Sequence, residues 1–125
     1  MEIAIMKKKE LEIYIHIPFC VRKCAYCDFL SGPAAPEAQK AYVQALIKEI
    51  RAAAVCYSSR YEVATVFFGG GTPSLLAGEQ LDEIMRTIKE SFLIREEAEI
   101  TMEMNPGTAN REKLKAYRRA GINRL

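Results

Sequence analysis

The sequence predicts an α/β fold, one part of a parallel (β/α) barrel. Three observations point there. Strand-like and helix-like segments alternate three times along the 125 residues. The strands pair an apolar face with a polar one. The chain stops as a fourth strand begins. Alternation of this kind argues for a parallel sheet with crossover helices. A doubly wound sheet is buried on both faces, so its strands read as nearly continuous apolar runs. A barrel keeps its helices outside and tolerates a polar interior. Three units cannot close a barrel, so the chain reads as about three β-α units plus the start of a fourth strand.

The elements follow in order. Residues 1–10 form an N-terminal extension, and the domain runs from 11 to 125. Leu11 to Ile17 is the first strand: Ile13, Ile15 and Ile17 alternate with Glu12, Tyr14 and His16. Pro18 ends it, and a cysteine-bearing loop runs from Phe19 to about Ser31. Pro36 suits the first turn of a helix. Val43, Leu46, Ile47, Ile50 and Ala54 then recur at helical spacing, to about Cys56. Val63 to Phe68 is the second strand, rich in β-branched and aromatic residues. It runs into Gly69-Gly70-Gly71-Thr72-Pro73. Leu81, Ile84, Met85, Ile88 and Phe92 mark the next helix. Glu99 to Met104 is the third strand, with Ile100, Met102 and Met104 opposite Glu99, Thr101 and Glu103. Asn105-Pro106-Gly107 stops it. Thr108 is the expected N-cap of a last helix that ends at Ala120, with Gly121 as its C-cap. Ile122 to Leu125 starts a fourth strand.

Composition narrows the function classes. Half the residues are hydrophobic, which excludes a disordered chain. No run of about 18 apolar residues exists, so no membrane span is expected. Lys7, Lys8 and Lys9 precede no secretory apolar segment. A net charge of +2 gives little reason to expect nucleic acid. A cytosolic (cytoplasmic) protein is expected. In a reducing compartment its four cysteines point to metal or redox chemistry rather than to disulfides.

Cys20, Cys24 and Cys27 form C-x3-C-x2-C in the loop after the first strand. Three thiolates so close can converge on one metal centre. A structural zinc site takes four protein ligands. His16 or Cys56 could supply the fourth, but neither is well placed, and Cys56 reads as a small buried hydrophobe. Three thiolates also suit a [4Fe–4S] cluster with one iron left open for a ligand. The glycine run follows a strand and precedes a helix, as a tight turn or a loop that lets backbone approach a ligand. It is neither a Walker loop nor a dinucleotide fingerprint. Glu103 sits near the end of the third strand on its polar face, where a carboxylate is costly unless paired or bound. Asn105 reads as a strand-ending turn residue, and His16 as a structural hydrogen-bonder or a contact to the bound group. Arg22 and Lys23 read as solvated, or as offsetting a negative cluster. Parallel strands place the cysteine loop, the glycine loop and Glu103 on one rim, where active sites of such folds cluster.

The stretch Tyr14-Ile-His-Ile-Pro-Phe-Cys20-Val-Arg-Lys-Cys24-Ala-Tyr-Cys27, with the glycine run and the Glu103 strand, resembles the radical S-adenosylmethionine (SAM) superfamily. In detail it is similar to the branch of oxygen-independent coproporphyrinogen III oxidase and the heme chaperone HemW. The resemblance covers the chain from Leu11 onward. It implies a (β/α)6 barrel followed by a C-terminal domain. It implies that Cys20, Cys24 and Cys27 hold a [4Fe-4S] cluster whose open iron binds SAM. One electron would then cleave SAM to a 5′-deoxyadenosyl radical that abstracts hydrogen. By the same resemblance Tyr14, Tyr26, Gly70, Gly71, Thr72 and Glu103 contact SAM: Tyr26 near the adenine, the glycine loop at the methionine part, and Glu103 at the ribose hydroxyls. Heme or porphyrin and an electron donor protein are implied partners.

Phe29 stands where the oxidase carries a further cysteine, two positions after the third. That favours the heme-chaperone side over oxidative decarboxylation of propionates. By family standards the chain is short, so a truncated core with poor solubility and little or no turnover is expected. A zinc-binding module and an inert fragment are the rival readings.

Overall fold

The computed structural model describes residues 8–19, 36–105, 107 and 110–125. Three strands and three helices alternate: β1 (Lys9–Ile17), α1 (Pro36–Tyr57), β2 (Tyr61–Gly70), α2 (Gly78–Ser91), β3 (Ile94–Met102) and α3 (Arg111–Ala120). A short 3-10 helix, Pro73–Leu75, separates β2 from α2. The sheet is parallel throughout, in the order β1-β2-β3. Beyond α3, the Met102 N–H donates to the Arg124 carbonyl (3.0 Å), and Thr101 and Arg124 form a parallel bridge. Asn123 reinforces this edge, accepting from the Ile100 N–H and donating to the Ala98 carbonyl, both at 2.9 Å. The expected fourth strand thus begins beside β3.

One core lies between the sheet and the helices. Ile15 and Ile17 of β1, Val66 and Phe68 of β2, and Ile100 and Met102 of β3 face Val43, Ile47 and Ile50 of α1 and Leu81, Ile84, Met85 and Ile88 of α2. The helical residues recur every three or four positions, so each helix turns one stripe inward. Burying each such side chain stabilises the fold by about 1.5–3 kcal/mol. The opposite face of the sheet is different. Tyr14 is 59% exposed and Phe67 38%, and Glu12, His16 and Glu99 are exposed beside them. That polar face with helices on the other side is the division expected of a barrel segment.

The structure changes several expectations. β3 begins five residues earlier than the apolar alternation indicates. Val63 pairs with Ile94, but the next β2 pairing is Thr65 with Glu99, so residues 95–98 bulge. That charged bulge hides the strand's beginning from a period-2 pattern. Gly69 and Gly70 belong to β2, paired with His16 and Ile17, rather than to the loop after it. The cap of α3 is Asn110, whose Oδ1 accepts from the Lys113 N–H at 2.8 Å. Thr108 lies outside the described residues. Gly121 does end α3, with φ 123° and its N–H shared between the Tyr117 and Arg118 carbonyls. Cys56 is exposed, not buried, because it falls on the outer face of α1, away from the Val43–Ile47–Ile50–Ala54 stripe.

Candidate functional site

The C-terminal ends of the three strands are tied together by main-chain hydrogen bonds. The Gly71 N–H donates to the Ile17 carbonyl (2.8 Å), and the Thr72 N–H donates to the Phe19 carbonyl. These bonds hold the glycine loop against the last described residues before Cys20. On the other side, the Glu103 N–H donates to the Phe68 carbonyl at 3.0 Å. Glu103 is exposed, one residue past β3. Of the sequence-derived site residues, Tyr14, Gly70, Gly71, Thr72 and Glu103 therefore share one rim and the polar face below it. Cys20, Cys24, Cys27 and Tyr26 lie outside the described residues. Among the described residues no group of His, Cys, Asp and Glu is arranged to hold a metal ion.

Aromatic side chains pack around the glycines. Tyr14 stacks on Phe67, with centroids 6.0 Å apart and planes 14° apart. The Tyr14 hydroxyl lies 3.2 Å from His16 Nδ1. Gly70 has φ 111°, and a Cβ there would sit 2.6 Å from the His16 ring and 2.9 Å from the Ile17 carbonyl oxygen. Glycine is required here on both backbone and steric grounds. The result is a stretch of bare backbone at the rim, bordered by Tyr14 and His16.

Other residues shape the rim without a motif to announce them. The Tyr42 hydroxyl, on α1, donates to the His16 carbonyl, and its ring meets Phe19 edge-on at 5.4 Å. Burial, then the nearby Glu49 and Tyr14, push the Tyr42 phenol above its ordinary pKa. Tyr117, on α3, is 1% exposed, and its hydroxyl donates towards the Ser74 and Leu76 carbonyls at 3.1 and 2.6 Å. Burial pushes its phenol up to about 12. Asn105 behaves as the turn residue its position indicated: its Oδ1 accepts from the Gly107 N–H at 3.0 Å. Tyr42 and Tyr117 look like ordinary helix-stripe aromatics in sequence, and only their long-range partners distinguish them.

Comparison with known proteins agrees with this arrangement. The radical SAM superfamily model matches residues 14–125. The heme chaperone HemW of Escherichia coli (strain K12) is 43% identical over 121 residues, covering 96% of this chain and 32% of that protein. A radical S-adenosyl methionine domain-containing protein 1 of Danio rerio, described as mitochondrial, is 33% identical over 93% of this chain and 26% of its own length. Among solved structures, the coproporphyrinogen III oxidase HemN of Escherichia coli, described as a radical SAM enzyme, superposes with a TM-score of 0.83. It is 32% identical over 94% of this chain and 27% of that one. The chain thus spans about a third or less of these relatives' lengths. No helix among the described residues is long and apolar enough to cross a membrane. With the family model spanning residues 14–125 and its fold superposing on that of HemN, the chain belongs to the radical SAM superfamily, on the side of the HemW and HemN proteins.

Proposed function

We propose that this chain is the cofactor-binding part of a HemW-like radical SAM protein that handles heme in the cytoplasm. The N-terminal portion of the radical SAM core starts with β1 at Lys9, two residues inside the extension expected from the sequence, and runs to residue 125. The donor set fits the cluster: Cys20, Cys24 and Cys27 supply three soft thiolates at close spacing, leaving one iron of a [4Fe-4S] cluster without a protein ligand. The rim fits SAM. Gly70 and Gly71 offer carbonyl oxygens to the amino group and Thr72 its hydroxyl to the carboxylate, Glu103 accepts from the ribose hydroxyls, and Tyr14 and Tyr26 pack along the cofactor. When bound, the cluster supplies the electron that breaks a carbon–sulfur bond of SAM.

The chain's own residues do the orienting. Gly70 carries no side chain and so lets the His16 ring and the end of β1 pack against the loop. The Gly71 and Thr72 N–H groups are already used in holding Ile17 and Phe19, so the loop keeps its shape without a ligand. The observation that carries the reading is this joining of the glycine loop, the residues before Cys20 and the segment of Glu103 on one rim. Phe29, in place of the oxidase's further cysteine, favours the chaperone over the decarboxylase. Heme and an electron donor protein are the partners this reading requires.

Anaerobic reconstitution with iron and sulfide tests it. The chain should take up about four iron atoms, develop a broad visible sulfur-to-iron band, and bind SAM. Cys24→Ala should abolish both. Colourless uptake of zinc in preference to iron, or iron uptake unchanged by Cys24→Ala, would refute the proposal.

A further inference from the structure

We infer that Ser74, held by Tyr117 and Lys113 of α3, is the positioning unit that sets the glycine loop against the Glu103 segment. This deepens the proposed cofactor reading and names residues that no motif marks. Ser74 is wholly buried. Its carbonyl accepts from Lys113 Nζ at 3.1 Å and lies 3.1 Å from the Tyr117 hydroxyl, whose shorter hydrogen bond, 2.6 Å, goes to the Leu76 carbonyl two residues on. Its Oγ accepts from the Asn105 N–H at 3.2 Å, two residues after Glu103. The next residue's N–H, that of Leu75, donates to the Thr72 carbonyl (3.0 Å), and the Thr72 N–H in turn donates to the Phe19 carbonyl. Helix α3 therefore reaches the rim through the Ser74–Leu75 pair: Ser74 bonds the Glu103 segment and Leu75 the glycine loop.

The chemistry suits such a role. Lys113 and Tyr117 together hold the Ser74 and Leu76 carbonyls of one short turn, and a buried acceptor stripped of its donor is costly. Tyr117 lies 43 residues from Ser74 in sequence, so this restraint exists only in the folded chain. Tyr117 is a positioning residue: it touches the loop's support rather than the loop's ligand.

The test uses the full chain, reconstituted anaerobically. Tyr117→Phe keeps the ring and removes the hydroxyl. Amide hydrogen exchange at Gly71, Thr72 and Glu103 should accelerate about tenfold, equivalent to a loss of about 1.4 kcal/mol of local protection. Exchange at Ile84 and Ile88 in the core should stay unchanged. SAM should bind about fivefold more weakly with iron content and the visible spectrum unaltered. Lys113→Met, at a half-buried position, is the second variant, and should accelerate the same loop amides less. Exchange that is unchanged, or faster everywhere alike, in both variants overturns the inference. If neither wild type nor variants bind SAM, the cofactor reading falls, while the exchange pattern still decides the role of Ser74 and Tyr117.

Discussion

The imidazole of His16 lies directly over the backbone of Gly70, hydrogen-bonded through Nδ1 to the Tyr14 hydroxyl at 3.2 Å. A side chain at residue 70 would collide with that ring and would also hold a left-handed φ of 111°. Gly70→Ala should therefore cost about 1–3 kcal/mol of stability, measured by urea unfolding. Adding His16→Ala should relieve the collision but not the backbone strain, so the two changes together should cost less than their sum. Strict additivity would show that the ring and the glycine are not in contact.

A second prediction concerns the opposite rim. Arg95, in the β3 bulge, bonds Glu62 of β2 through Nε and Glu10 of β1 through Nη1, both at 2.7 Å. The Arg95 and Glu62 side chains are only 17% and 19% exposed. Arg95→Met should destabilise the fold more than loss of an exposed ion pair does, because it strips a shielded carboxylate of its charged donor. The exposed pair Arg86–Asp82 on α2 is the control: Arg86→Ala should change stability by less than about 0.5 kcal/mol. Equal losses at the two sites would contradict the burial argument.

Alkaline pH should weaken the fold through Tyr117. Its phenol ionises near 10 when unfolded and near 12 when folded. Between those values the unfolded chain holds fewer protons than the folded one, so stability falls as pH rises. The contribution is full below pH 10 and is lost as pH climbs towards 12. Tyr42, also raised by burial, acts in the same direction. Urea unfolding across this range should show a negative slope that Tyr117→Phe reduces. A slope identical in the variant would remove Tyr117 as its source.

The exposed thiol of Cys56 provides a fourth test. It stands on the solvent side of α1, far along the sequence from the cysteine motif. In the cluster-loaded protein it should react with a thiol reagent without loss of iron, and Cys56→Ser should leave iron content unchanged. Iron lost in step with that reaction would make Cys56 a ligand.

The element types were legible in sequence because they follow from local periodicity. Val43, Ile47 and Ile50 repeat at the helical period, and Ile13, Ile15 and Ile17 at the strand period. Neither inference needs a distant partner. Among the described residues the rim was legible too: Gly70 to Thr72 and Glu103 end or follow a strand, and parallel strands bring such ends together. Polar segments were harder. The charged run at residues 95–97 masks the start of β3, where Arg95 bonds Glu10 of β1 and Glu62 of β2 and no apolar alternation marks the strand.

The amino-acid sequence by itself determined the order and kind of the elements, the alternation of buried and open faces, and the ligand types available at the rim. Tertiary structure alone decided which groups distant in the chain share a hydrogen bond: Tyr117 with Ser74, Tyr42 with His16, Arg95 with Glu10 and Glu62. It also decided that Cys56 faces water. Local preference acts over a few residues, whereas these contacts arise from packing three helices on one side of a sheet, and no short-range pattern encodes where that packing brings a hydroxyl or a guanidinium.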